Sequence, residues 1–226
     1  MKEIKRNGAG QGEEIVTKRA FDVVLSSISL LFLSPFLVLA ALLIKLESRE
    51  PIFYKQLRVG LNGKPFYIYK FRTMEVGVEG KGPLITGAND PRLTRVGKLL
   101  RKIKLDEMPQ LFNVLKGEMS LVGPRPEVSK YVELYTDEQK KILTVKPGMT
   151  DPATVHFRNE EDLLAQAEDR ENFYINEIMP IKLKLCLQYI ENMSLPYDVK
   201  LIFLEILALI LPQSVFRRMF SSKIEL

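Results

Sequence analysis

Residues 20–44 read AFDVVLSSISLLFLSPFLVLAALLI, an apolar run with one charge, Asp22, at its edge. A run this long is beyond the apolar centre of a signal peptide, and no small-residue cleavage pattern follows it. As a straight helix it extends about 37 Å, enough for a hydrocarbon layer of about 30 Å. Pro35 complicates that reading, because it removes an N–H and crowds the preceding turn, which predicts a kink. Ser34 can bond back to a carbonyl one turn earlier and ease the bend. A helix broken at Ser34 and Pro35 has arms of about 22 Å and 15 Å, each too short to span. Both flanks are basic, with Lys18 and Arg19 before the run and Lys45, Arg49, Lys55 and Arg58 after it. The positive-inside rule then selects no direction, as expected where both ends stay in the cytoplasm. A kinked helix that spans is the alternative, since membrane helices tolerate proline. The residues alone leave these two readings even.

About 180 residues remain outside this run, enough for one domain with its own core. The chain has one cysteine, Cys186, and one histidine, His156, which excludes a disulfide framework and a Cys/His zinc site. Cys186 lies in the apolar stretch KLKLCLQYI and reads as a packing residue. The net charge of +5 is unevenly spread. Residues 51–130 carry about 15 basic and 7 acidic side chains, and residues 131–180 about 5 and 11. A basic half can meet nucleic acid, anionic lipid or a phosphorylated small substrate.

Residues 1–19 are polar and glycine-containing and read as a tail. Residues 52–60 and 65–74 read as strands joined across Asn62-Gly63, a strong hairpin signal. Residues 75–89 read as a glycine-containing loop. Asp90-Pro91 reads as an N-cap with proline in the first helical position, followed by Leu93, Val96, Leu99, Leu100 and Ile103 at helical spacing. A second helix is expected from Asp106, with Pro109 in its first turn and Gly117 as its stop. Helices are also expected over 159–170 and 173–193, with Pro180 as a kink. Residues 199–211, VKLIFLEILALIL, are too short to span and belong in a core or at a bilayer surface.

The chemistry concentrates in residues 101–126, RKIKLDEMPQLFNVLKGEMSLVGPRP. Asp106 and Glu107 are adjacent carboxylates at a helix start, where the non-helical cap residue lets both face one way. Free N–H groups and partial positive charge there suit a phosphate. The same field favours an ionised Asp106, a competent nucleophile toward phosphorus. Glu107 could hold Mg2+ against diphosphate oxygens, and Arg101 and Arg125 could clamp those oxygens. The bland alternative is an ordinary N-cap, a first-turn Glu and surface arginines.

The chain resembles the bacterial sugar transferases, the monotopic polyprenyl-phosphate phosphoglycosyl transferases. Four pieces carry the resemblance, in order, over about 130 residues. They are KRAFDVVLSSISLLFLSPF, YKFRTM at 69–74, DPRLTRVGKLLRKIKLDEMPQLFNVLKGEMSLVGPRP at 90–126, and KPGMT at 146–150. The resemblance implies that Asp106 is the nucleophile, forming a phosphosugar intermediate and releasing UMP. It implies that Glu107 is its partner with Mg2+, that Arg101 and Arg125 bind phosphate or substrate, and that Lys70 and Arg72 lie near the site. It makes Ser34 and Pro35 the break of a re-entrant membrane helix. The donor is then a UDP-sugar and the acceptor undecaprenyl or another polyprenyl phosphate. The location is the cytoplasmic face of the bacterial inner membrane, among its phospholipids. After KPG many relatives carry a Gly-Trp pair and an Asn-rich stretch, whereas this chain has no tryptophan and reads MTDPATVHFRNEEDLL.

Two other readings stand beside this one. A membrane-anchored basic module binding nucleic acid or acidic lipid needs scattered basic residues interleaved with aromatics. Here Asp-Glu sits at the centre of the basic stretch, so no nucleic acid is expected. A non-catalytic scaffold would keep the fold without turnover. The expected fold is α+β and mostly helical, with a small strand hairpin or sheet. It divides into a tail (1–19), a re-entrant helix (20–46) and a cytoplasmic catalytic domain (47–226) with amphipathic membrane-surface helices.

Overall fold

In a computed structural model of the protein, residues 8–77, 90–212 and 215–216 are described. Helix α1 covers Gly8–Glu47, so residues 8–19, expected as a tail, continue the helix instead. The hairpin follows as expected, with β1 (Phe53–Val59) antiparallel to β2 (Pro65–Phe71). At its turn Asn62 is left-handed, at φ 55°, the conformation that Asn and Gly supply most readily. The loop expected over 75–89 lies mostly outside the described residues.

Helix α2 runs over Arg95–Lys102. The N-cap is Thr94, whose hydroxyl accepts from Gly97 N at 2.9 Å, not Asp90. Asp90 instead holds the Arg92 guanidinium at 2.7 Å, and Leu93 pairs with Met74 in a short antiparallel bridge. Asp90 and Pro91 thus open a separate turn, closed by Leu93 N on Asp90 O at 3.2 Å and by Arg92 N on Asp90 Oδ1 at 3.0 Å, and the bridge at Leu93 separates that turn from α2. A six-residue 3-10 helix, Leu105–Gln110, leads into α3 (Leu111–Lys116), and Gly117 ends α3 at φ 85°. A second sheet pairs β3 (Ser120–Val122) in parallel with β4 (Gly148–Thr150). Here a Cβ on Gly148 would stand 2.1 Å from Gly123 N, so only glycine lets these two segments approach.

The remaining elements are α4 (Ser129–Val132), α5 (Pro152–His156), α6 (Glu160–Gln166), α7 (Arg170–Phe173), α8 (Met179–Glu191) and α9 (Leu195–Ile210). The helix expected over 173–193 is continuous to Glu191 but changes its winding before Pro180. A π-helical segment, Tyr174–Ile178, puts Pro180 in the first turn of α8, where its missing N–H costs nothing.

One core joins α1, α3, β3, α8 and α9 through Leu111, Val114, Met119, Val122, Tyr189, Leu201 and Leu204, with Phe21, Leu25, Leu30 and Leu33 of α1 packed against it. Polar anchors hold the base of α1 there. Lys18 Nζ donates to Val122 O at 3.0 Å and pairs with Asp198 of α9. Arg19 Nη2 donates to Leu115 O at 2.8 Å, meeting a carbonyl at the end of α3. Asp22 Oδ1 accepts from Leu121 N at 3.0 Å.

In its middle turns α1 leaves this core, and its later turns bury Ala40 and Ile44 against Phe71 and Leu100. Leu31, Phe32, Phe36, Leu39 and Leu42 are exposed, and Ile15–Glu47 is long and apolar enough to cross a membrane. The helix is not divided at Pro35. Proline at 35 deprives Leu31 O of its usual donor, and Ser34 Oγ donates to that same oxygen at 2.8 Å. The Ser-Pro pair thus repairs locally the bond that the proline removes. In α9, Leu201, Leu204 and Ala208 face the core while Phe203, Ile206, Leu209 and Ile210 are exposed.

Candidate active site

The 3-10 helix carrying Asp106 and Glu107 begins after Lys104, which caps it in a left-handed conformation at φ 57°. Such a backbone costs about 1–2 kcal/mol in a residue bearing a side chain. Lys104, not Asp106, is the cap, so both carboxylates lie within the first turn. Successive side chains on a 3-10 helix diverge, and the two acids reach different surroundings.

Glu107 is held by two cations. Lys70 Nζ of β2 donates to Oε1 at 2.8 Å, and Arg125 Nη2 pairs with the same oxygen. Burial opposes the charge of Glu107, but Arg125 and then Lys70 outweigh it and hold its pKa well below the usual carboxylate range. Burial lowers the pKa of Lys70 against the pull of Glu107. The charge of Glu107 is also what raises that of Arg125.

Asp106 is only 6 % exposed, and its Oδ1 has no hydrogen-bond partner among the described residues. Burial raises its pKa, and the neighbouring Glu107 charge adds to the rise; Lys70, Arg101 and Lys104 oppose it. This reverses the expectation that the helix start favours an ionised Asp106. The turn is short, and desolvation outweighs its field. The pair consists of one firmly ionised carboxylate and one that holds its proton more tightly.

Arg125 is fixed from behind by β4 and the residue after it. Its backbone N donates to Asp151 Oδ2 at 2.8 Å, and Nη1 donates to Met149 O at 3.2 Å. Asp151 also accepts from Thr154 N at 2.6 Å and from the Cys186 thiol at 3.3 Å, which makes Cys186 a buried supporting residue. The motifs GPRP and KPGMT therefore do one job together, since the tight Gly123–Gly148 approach brings Arg125 onto its supports.

Arg101 is near the pair without touching it. Its Nε donates to Thr73 Oγ1 at 3.2 Å, and Nη1 reaches Glu161 Oε1 at 3.4 Å. Arg72 lies apart from the pair, with Nε on Pro51 O at 2.9 Å and its guanidinium over the Tyr54 ring. Ser34 and Pro35 stand on the exposed part of α1, away from these contacts. Sequence reasoning missed Asn113, which is fully buried; its amide donates to Tyr67 O at 2.7 Å and accepts from Tyr69 N at 3.1 Å. It fastens β2, and so Lys70, to α3. It also missed Lys104, Asp151 and Glu205, the last a carboxylate of α9 whose Oε2 accepts from Thr150 Oγ1 at 3.4 Å.

Residues 13–212 match the family described as bacterial sugar transferase. A UDP-glucose:undecaprenyl-phosphate glucose-1-phosphate transferase from Escherichia coli is 39% identical over 199 residues, covering 86% of this chain and 40% of that protein. The uncharacterized sugar transferase EpsL of Bacillus subtilis is 37% identical over 201 residues, covering 89% of this chain and 91% of that protein. A UDP-N-acetylgalactosamine-undecaprenyl-phosphate N-acetylgalactosaminephosphotransferase from Aeromonas hydrophila is 39% identical over 189 residues, covering 82% and 42%. The chain thus spans about two fifths of two of these relatives and nearly all of the third. By this match, and by the clustering of Asp106, Glu107, Lys70 and Arg125 within the matched span, the chain belongs to the bacterial sugar transferase family of enzymes.

Proposed function

We propose that the protein transfers a sugar-1-phosphate from a UDP-sugar to undecaprenyl phosphate, giving undecaprenyl-diphosphate-sugar and UMP in two displacements through Asp106. The observation that carries this reading is the contrast within the pair. Glu107 is ionised and held by Lys70 and Arg125, while Asp106 keeps a buried oxygen with no partner. A buried unpartnered carboxylate oxygen is costly, and a nucleophile has to keep one free. The raised pKa makes Asp106 a stronger nucleophile once ionised than an aspartate stabilised by partners. Lys70, Arg101 and Arg125 place positive charge where the transferred phosphate gains negative charge. The names of the Escherichia coli and Aeromonas relatives supply the donor and acceptor classes of this reading.

Magnesium fits this donor set. Glu107 uses Oε1 for both cations, which leaves Oε2 to a metal. No group of three or more His, Cys, Asp or Glu side chains gathers for a metal among the described residues. That suits an ion taking few protein ligands and completing its shell with water and diphosphate oxygens. Glu107 would hold the ion, which would supply charge neutralisation to the diphosphate.

In this reading α1 enters the membrane from the cytoplasmic face and returns there, with Ser34 and Pro35 at its deepest point. Its base is already committed to the catalytic core through Lys18, Arg19 and Asp22. The exposed apolar side of α9 rests on the phospholipid surface. The site then lies at headgroup level, where the lipid phosphate is found.

The test is UMP release by the detergent-solubilised protein with magnesium, undecaprenyl phosphate and a panel of UDP-sugars. Release with at least one sugar, lost in Asp106→Asn, is the expected result. Equal release by the variant removes Asp106 as nucleophile, and no release with any sugar favours a non-catalytic scaffold.

A further inference from the structure

Helix α9 has a single charge, Glu205, between Leu201 and Leu211, and it lies among Leu204, Ile206 and Leu207. A carboxylate in so apolar a helix is expensive unless it has a use or a full set of partners. Among the described residues its one hydrogen bond is the long contact from the Thr150 hydroxyl, 3.4 Å to Oε2. Thr150 lies between Met149 and Asp151, the two residues that fix Arg125. One three-residue segment therefore presents both the guanidinium that clamps Glu107 and the carboxylate of α9. Among the described residues, the charges that act most strongly on Glu205 come from the segments around the catalytic turn. These charges are Lys104 at the head of the catalytic turn, Glu107 within it, Arg125 from the GPRP segment and Asp151 after β4.

The same helix turns Phe203, Ile206, Leu209 and Ile210 outward. It thus joins an exposed apolar surface to the edge of the catalytic centre. An acceptor with an apolar tail and a phosphate head meets both on one element.

Resting on the two-displacement reading above, we propose that Glu205 is the general base of the second displacement, taking a proton from the acceptor phosphate as it attacks the sugar phosphate on Asp106. A phosphate monoester loses its second proton with a pKa near ~6. An anionic leaflet makes that proton harder to lose. In the step, the acceptor O–H bond breaks and its proton goes to a Glu205 oxygen. The freed oxygen pair forms the new P–O bond to the sugar phosphorus. The P–O bond to Asp106 breaks, and its electron pair returns to the Asp106 carboxylate. Burial raises the pKa of Glu205, with Lys104 and Arg125 opposing, which brings a carboxylate closer to the range that base catalysis needs.

The full chain is tested in detergent with magnesium, a UDP-sugar and undecaprenyl phosphate. UMP release without acceptor reports the first displacement, and transfer from the preloaded enzyme to the lipid reports the second. In Glu205→Gln the second rate should fall about 100-fold, the size typical of a lost general base. The fall in the first rate should be at least about tenfold smaller. The wild-type second rate should rise with pH as Glu205 ionises, and the variant should lose that limb. Glu205→Asp should recover part of the rate and the limb. If Glu205→Gln does not fold, Glu205→Asp and Thr150→Val carry the test, each with a smaller selective loss in the second step and a displaced limb. Equal losses in both steps, no loss, or an unchanged pH limb overturn the proposal. Absence of UMP release by the wild type with every donor overturns the transfer reading itself.

Discussion

Asp106 and Asp198 are both buried, and they are treated oppositely. Asp198, at the junction of α1 and α9, is fully buried, with Tyr189 Oη donating to Oδ1 at 2.7 Å and Lys18 paired with Oδ2. Asp106, on the catalytic turn, has neighbouring charges but leaves Oδ1 bare. The junction uses its carboxylate to tie the base of α1 to residues more than a hundred positions away. The turn keeps its carboxylate ready for something the chain does not supply. A buried acid with every oxygen occupied serves the fold, and one with an empty oxygen beside a firmly ionised partner serves chemistry.

The largest effect should come from breaking the clamp. Arg125→Ala leaves Glu107 with Lys70 alone and, in the proposed mechanism, removes a cation that meets the phosphate, so turnover should fall about 10²–10³-fold. Arg125→Lys should recover little, because the geometry uses both Nη atoms, one on Met149 O and one on Glu107. Steady-state UMP release checks both variants.

Asp198→Ala strands a mostly buried Lys18 and the Tyr189 hydroxyl, and should cost about 3–5 kcal/mol. Asp106→Asn should do the reverse, stabilising the protein by about 1–2 kcal/mol at neutral pH, since it removes a desolvated charge whose Oδ1 has no hydrogen-bond partner among the described residues. The sign follows from a folded pKa that is raised. The native state binds the Asp106 proton more tightly, so that stabilisation is complete below the ordinary aspartate pKa and is lost as pH rises through the raised one. The advantage of the variant should therefore vanish in acid. Glu107 has the opposite sign. Its stabilisation is present above the ordinary glutamate pKa and is lost only as pH falls toward its much lower folded value. Melting temperatures from pH 3 to 8 check all three.

The smallest effect concerns Ser34. Ser34→Ala should cost about 1 kcal/mol by leaving Leu31 O without a donor. Ser34→Ala with Pro35→Ala should recover that loss, because residue 35 then donates to the same carbonyl. Additive losses in unfolding experiments would mean that the two residues act separately.

Local signals carried much of the architecture. Asn62-Gly63 marked the hairpin, Gly117 the end of α3, and the apolar run the body of α1. Residue types at the helix start put Asp106, Glu107 and Arg125 in one site, the family resemblance added Lys70, and the structure joins Glu107 to both cations. What escaped was decided at long range. Lys18 and Arg19 read as membrane flanks because their acceptors, Val122, Asp198 and Leu115, lie far along the chain. Asp90 read as the cap of α2 because sequence could not show Leu93 pairing with Met74, which separates the turn at Asp90 from the helix that starts after Thr94. Burial of Asp106 was equally invisible, and it reverses the effect expected from a helix start.

The central claim is that Asp106 takes the phosphosugar before the lipid does. The most direct measurement is the intact mass of the purified protein after exposure to magnesium and a turned-over UDP-sugar without acceptor, followed by peptide mapping. The account predicts one added phosphosugar, located on Asp106, absent in Asp106→Asn and discharged by undecaprenyl phosphate. Full turnover with no adduct, or an adduct on another residue, would contradict it.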